Sequence, residues 1–128
     1  MTKKFRMVLL LPLVLMAGCV TEATFTNLTP SQRTRKPDNL YPVEVALTSR
    51  QESLRWDSIQ PQIVVGTEYY KMHPTPLMKN RWEGVIPVPP GTNLVYYHYK
   101  FGFEYNAFGS PKSDSTTSRE YSLRILDQ

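Results

Sequence analysis

The stretch from Trp82 to Tyr105 constrains the fold more than any other part of the chain. It reads as a strand, a Pro-Gly turn and then a long second strand. In the second strand Val95, Tyr97, Tyr99, Phe101, Phe103 and Tyr105 alternate with Leu94, Tyr96, His98, Lys100, Gly102 and Glu104. Consecutive strand residues point to opposite faces, so the first set forms one wide apolar face. Such a face needs another layer to cover it. An all-β sandwich with this strand at its centre is the expectation.

The remaining strands are read the same way. Ala23 to Leu28 is a first strand with Phe25 as its packing residue. Thr29 to Asn39 is polar and rich in turn formers, and reads as a loop. Arg33, Arg35 and Lys36 cluster there; contact with anionic headgroups or a cell-wall polymer is weighed against a solvated loop, and the solvated loop is favoured, because three charges attract weakly in salt. Tyr41 to Thr48 alternates cleanly, with Tyr41, Val43, Val45 and Leu47 on one face. Ser49-Arg50-Gln51-Glu52 has capping-box spacing, so Leu54 and Trp56 belong either to a short helical turn or to an irregular crossover. Gln62 to Val65 is a β-branched strand, turned at Gly66-Thr67. Glu68 to Met72 continues as an edge strand that His73-Pro74-Thr75-Pro76 ends. Arg81 to Val88 precedes the Pro89-Pro90-Gly91 turn. Asn106 to Thr117 reads as a polar loop, and Arg119 to Leu126 closes the domain with Tyr121, Leu123 and Ile125 on one face.

The beginning of the chain speaks to location. Lys3, Lys4 and Arg6 precede an apolar run from Met7 to Ala17, the pattern of a secretory signal. The run is short of the roughly 20 residues that span a bilayer. Leu15-Met16-Ala17-Gly18-Cys19 resembles the lipobox of bacterial lipoproteins, with Met16 where Leu is more usual. The resemblance implies a signal peptide over 1–18, lipid on Cys19, a lipidated tether over 19–24 and a domain over 25–128. Val20 follows the cysteine where Asp would favour the inner membrane, which implies outer-membrane anchoring on the periplasmic face. Cys19 is the only cysteine, which excludes an intrachain disulfide and a multi-cysteine metal site. Loss of Lys3, Lys4 and Arg6 takes the formal charge from +4 to +1, so nucleic acid is not an expected partner.

The search for chemistry is mostly negative. No nucleophile elbow, His-Glu-x-x-His pair or phosphate-cradling glycine loop occurs. His73 and His98 are isolated from each other in sequence, so neither a metal nor a cofactor is expected. Glu44, Asp57, Glu68, Glu83 and Glu104 carry no spacing that pairs them as glycoside hydrolysis requires, and solvated strand charges are the favoured reading. A non-catalytic chain is expected.

Aromatic side chains remain, since a flat ring stacks on a sugar ring as readily as it packs a core. Of Trp56, Trp82, Tyr69, Tyr70, Tyr96 and Tyr97, the strongly alternating Trp82 and Tyr97 are assigned to the core. Trp56, Tyr69 and Tyr70 are the candidate ligand-binding residues, with one of the adjacent tyrosines exposed. From Gln62 to Phe101 the order of features resembles early-set immunoglobulin-like domains that include glycogen- and starch-binding modules. The matching residues are Ile63-Val64-Val65-Gly66, Pro76-Leu77-Met78, Trp82, Val88-Pro89-Pro90-Gly91 and Tyr99-Lys100-Phe101. The resemblance implies an immunoglobulin-like β-sandwich. It departs at Glu68-Tyr69-Tyr70-Lys71 and at Gly102-Phe103-Glu104-Tyr105, where those modules carry tryptophans, so no sugar site is carried over. The expectation is an outer-membrane lipoprotein that acts as an envelope interaction or structural module, with carbohydrate binding through exposed aromatics as the alternative.

Overall fold

The computed structural model describes residues 23–127. Cys19, the signal and most of the tether lie outside the described residues. Ten strands follow one another: β1 (Ala23–Asn27), β2 (Gln32–Thr34), β3 (Leu40–Ser49), β4 (Leu54–Val65), β5 (Glu68–Lys71), β6 (His73–Pro74), β7 (Arg81–Pro87), β8 (Leu94–Asn106), β9 (Pro111–Thr117) and β10 (Tyr121–Leu126). No helix occurs among the described residues. One sheet has the order β1-β3-β7-β6; the other runs β2-β10-β8-β4-β5, with β9 also on β8. The expected all-β sandwich is present.

The alternation read from sequence places the core. Tyr41, Val43, Val45 and Leu47 of β3, with Trp82 and Ile86 of β7, meet Tyr97, Tyr99 and Phe101 of β8 and Leu123 and Ile125 of β10. Phe101 sits edge-on to both Phe25 (5.0 Å) and Trp82 (5.1 Å), knitting the sheets at one level. Its outward neighbours on β8 include Tyr96, His98 and Lys100, as the period of two requires.

Between the sheets lies one polar cluster. The Tyr99 hydroxyl donates to Asn27 Oδ1 at 2.6 Å, and the Asn27 amide donates to the Tyr97 hydroxyl at 2.9 Å. Burial holds the Tyr99 phenol well above its ordinary pKa of 10.0. A phenol raised in the folded state stabilises fully below pH 10. Above it the unfolded tyrosine ionises while the native one resists, so stability falls by about 1.4 kcal/mol per pH unit. Urea titrations at pH 8 and pH 11 should show that loss. Tyr99→Phe should cost about 1–2 kcal/mol at pH 8 and flatten the alkaline decline.

Three segments differ from their sequence reading. Leu54 and Trp56 are in β4, neither helical nor in an open crossover. The Ser49 hydroxyl accepts the Gln51 N–H at 3.1 Å, closing a local turn instead of capping a helix. Asn106 to Thr117 is mostly β9, an antiparallel partner of β8 from Asn106↔Pro111 to Lys100↔Thr117. Within Thr29 to Asn39, β2 pairs in parallel with β10. Arg35 there is not a solvated charge: its guanidinium donates to Asp127 (2.6 Å), Asn93 Oδ1 (2.6 Å) and the Thr92 carbonyl (3.2 Å).

Two turns share one geometry and differ in chemistry. In Pro89-Pro90-Gly91-Thr92 the Thr92 N–H donates to the Pro89 carbonyl, and Gly91 takes φ 91°. In Thr75-Pro76-Leu77-Met78 the Met78 N–H donates to the Thr75 carbonyl, and Leu77 takes φ 67°. Both have proline second and a left-handed third residue, where glycine is the unstrained choice. Leu77→Gly should therefore raise the unfolding free energy by about 1 kcal/mol, measurable as a higher urea midpoint.

Candidate functional site

The outward face of the larger sheet is assembled by one short turn. Val65 and Glu68 are register partners, so Gly66-Thr67 is a two-residue hairpin loop. Gly66 at φ 60° supplies the left-handed first position that a II′ turn needs. This loop fixes Tyr69 beside Val64 and Tyr70 beside Ile63. Ile63 points into the core, so Tyr70 packs against the core and Tyr69 faces outward.

Tyr69 shares its face with a second half-exposed ring. Val64 is paired on its other side with His98 of β8, and Tyr96 lies two residues along that strand. Tyr96 is 54% exposed and Tyr69 53%. Two strand spacings across and two residues along separate their backbones by about 12 Å. Lys71 and Lys100 flank Gln62 on the same face, and Arg124 lies beside Leu94. The Lys100 ammonium is 5.8 Å from the centre of the Tyr69 ring, within cation–π range. Glu104, further along this face, is already paired with Arg55 at 3.1 Å. The patch between is therefore aromatic and cationic. Each tyrosine offers a flat apolar ring with a polar tip, suited to a sugar ring or to a protein surface.

Trp56 lies elsewhere. Between Arg55↔Glu104 and Gln60↔Gly102, β4 carries four residues where β8 carries one. The Ser58 hydroxyl ties this bulge by donating to the Arg55 carbonyl at 2.6 Å and accepting the Glu104 N–H at 2.8 Å. A bulge re-aims side chains. Here Trp56 stacks on Trp82 at 6.4 Å and 2°, at the rim between the sheets, beside a cleft of about 560 Å³ with Lys79 and Asn80. The three candidates therefore do not form one site: Tyr69 is on the outer face, Tyr70 is turned inward and Trp56 is at the rim. Tyr96 is the partner that Tyr69 has. The alternation that sends Tyr97 inward is the sequence signal for it.

The acidic residues are less scattered than their spacing indicates. Glu44, Glu83 and His73 lie side by side across β3, β7 and β6. They border a groove of about 280 Å³ on the smaller sheet, together with Arg33 and Val85. Like charges directly opposite repel. Arg81 at 3.9 Å from Glu44, and the Thr75 hydroxyl donating to Glu83 at 3.3 Å, offset that repulsion. No group of three His, Cys, Asp or Glu side chains with metal-holding geometry occurs among the described residues.

No protein-family model and no curated protein matches the chain. Among solved structures the chain is similar to a DUF4785 family protein from Legionella pneumophila, with a TM-score of 0.42 and 9% identity. The match covers 80% of this chain and 28% of that one, so the chain spans under a third of that protein's length.

Proposed function

We propose that this chain is a non-catalytic, lipid-anchored module of the outer membrane that binds an envelope partner through the outer face of its larger sheet. Cys19 would carry the lipid, and an immunoglobulin-like domain would present Tyr69 and Tyr96 to the periplasm. The observation that carries this reading is the pair of half-exposed tyrosines sharing one cationic face with Lys71, Lys100 and Arg124. Tyrosine concentrates at binding surfaces because its rigid ring buries much area at small entropic cost. The engaged carboxylates of Glu44 and Glu83 fit strand-face charges better than an acid–base pair poised for hydrolysis.

Crosslinking in whole envelopes tests it. The wild-type chain should capture a reproducible protein, and Tyr69→Ala with Tyr96→Ala should reduce capture about tenfold or more, the effect of losing contacts of central interface residues. Equal capture by the double variant, or no reproducible partner, would reject the reading. A second reading, carbohydrate binding, draws on the same two rings, since both are planar and outward. Electrophoresis through gels containing storage or cell-wall polysaccharides separates the two. Retardation abolished by the double variant means glycan, and unretarded migration with retained crosslinking means protein.

A further inference from the structure

We propose that the end of the sandwich from which the tether leaves is a bilayer-docking end, with Leu77, Met78 and Phe108 seated among lipid headgroups. This rests on the lipid-anchor reading of Cys19. The strand register defines the end. Ala23 pairs with Ser49, at the finish of β3. The Leu47 N–H donates to the Asn80 carbonyl at 3.0 Å, which brings the β6–β7 turn to the same end. The Asn106 N–H donates to the Ser53 carbonyl at 2.9 Å, which brings the tip of the β8–β9 hairpin there as well.

Covalent reach then limits where that end can be. Four residue steps separate Cys19 from Ala23, and an extended chain spans at most about 14 Å over that length. The headgroup region of one leaflet is about 5–7 Å deep. An anchored molecule therefore holds these three loops close to the membrane surface.

Their side chains suit that position. Leu77 is 102% exposed and Phe108 100%, and both lie at this end; Met78, next to Leu77 in the chain, is 40% exposed. Leu77 also occupies a left-handed position that glycine would fill without strain. A fully hydrated leucine on a strained backbone gains nothing from the rest of the domain. Such a departure from local preference marks a segment placed for something outside it. Arg50 and Lys79 stand on these loops, with Lys112 at the start of β9 beside the hairpin tip, and Glu52 is the single acid on the loops themselves. Apolar tips with flanking cations match an anionic phospholipid interface.

The test uses the full-length lipoprotein in vesicles of phosphatidylethanolamine and phosphatidylglycerol. Cys19 is the only native cysteine and would be acylated, so an introduced cysteine is the one free thiol. Leu77→Cys and Phe108→Cys, each labelled with a polarity-sensitive fluorophore, should lose most of their emission to a shallow lipid-borne quencher. Thr67→Cys, at the opposite end, should lose several-fold less. Flotation with the vesicles but equal, weak quenching at all three positions would overturn the docking end and leave the anchor intact. Shielding of the Leu77 and Phe108 labels from aqueous iodide without lipid quenching would assign the end to a second copy of the chain, and also overturn it. Failure to float, with an unmodified Cys19 mass, would overturn the anchor reading and this proposal together.

Discussion

Phe101→Ala is expected to lower the unfolding free energy by about 3–5 kcal/mol, the usual cost of removing a buried aromatic ring. Domains of this size are stable by about 5–15 kcal/mol, so the variant should sit near the edge of folding at ambient temperature. The ring is fully buried and contacts Phe25 of β1 and Trp82 of β7 edge-on. Its loss therefore empties the contact between the two sheets, where neighbouring backbone is held by ladder bonds and cannot collapse into the space. Urea unfolding followed by tryptophan fluorescence measures this, because Trp82 borders the cavity. A cost below 1 kcal/mol would mean that Phe101 is not at the junction of the sheets.

Gly84→Val should be nearly as damaging, at about 3 kcal/mol, for the opposite reason. Gly84 is an inward position of β7. A Cβ there would stand 3.0 Å from Ile63 Cδ1, 3.2 Å from the Lys71 carbonyl oxygen and 3.4 Å from Met72 Cγ. Lys71 and Met72 form the corner where the chain leaves β5 in one sheet for β6 in the other, and the Met72 N–H donates to the Pro61 carbonyl at 3.1 Å. The Ile63 tip can give a few tenths of an ångström; the corner backbone cannot without breaking that bond. Gly84→Ala should cost about 1 kcal/mol, since its clash is partly offset by a less flexible unfolded chain. The graded series, read as urea midpoints and as amide exchange at Met72, distinguishes crowding from a backbone requirement. Similar small costs for alanine and valine would show that the corner yields.

The parts of the fold legible in sequence are those in which one face is buried and the other wet. Tyr41 to Leu47, Trp82 to Ile86, Val95 to Phe101 and Leu123 to Ile125 announce themselves by period two. β9 does not, because Lys112-Ser113-Asp114-Ser115 is exposed on both faces and owes its order to the β8 ladder. β4 is obscured differently. Its bulge inserts extra residues between Arg55 and Gln60, so the apolar pattern loses phase and Trp56 follows neither a strand nor a helix repeat. Of the candidate site, adjacency gives only that one of Tyr69 and Tyr70 is exposed; the register of β5 on β4 makes it Tyr69. The neighbour of Tyr69 is Tyr96, from a strand far away in sequence, and only pairing of β4 with both β5 and β8 brings them onto one face.

The parallel pairing of β2 with β10, fastened by Arg35 and Asp127, sets the order in which the molecule can assemble. Residues 32–34 wait for residues 124–126, and β8 cannot fill its ladder until β9 and β10 follow it. Contacts this distant along the chain place folding in the millisecond-to-second range. A nascent chain that has emerged only as far as β8 lacks the Leu123 and Ile125 share of the core and leaves one edge of β8 unpaired, and the larger sheet is completed only when β10 arrives. Synthesis of such a chain thus runs almost to the last of its described strands before the larger sheet can be completed, and the native state forms only once residues 121–126 are available.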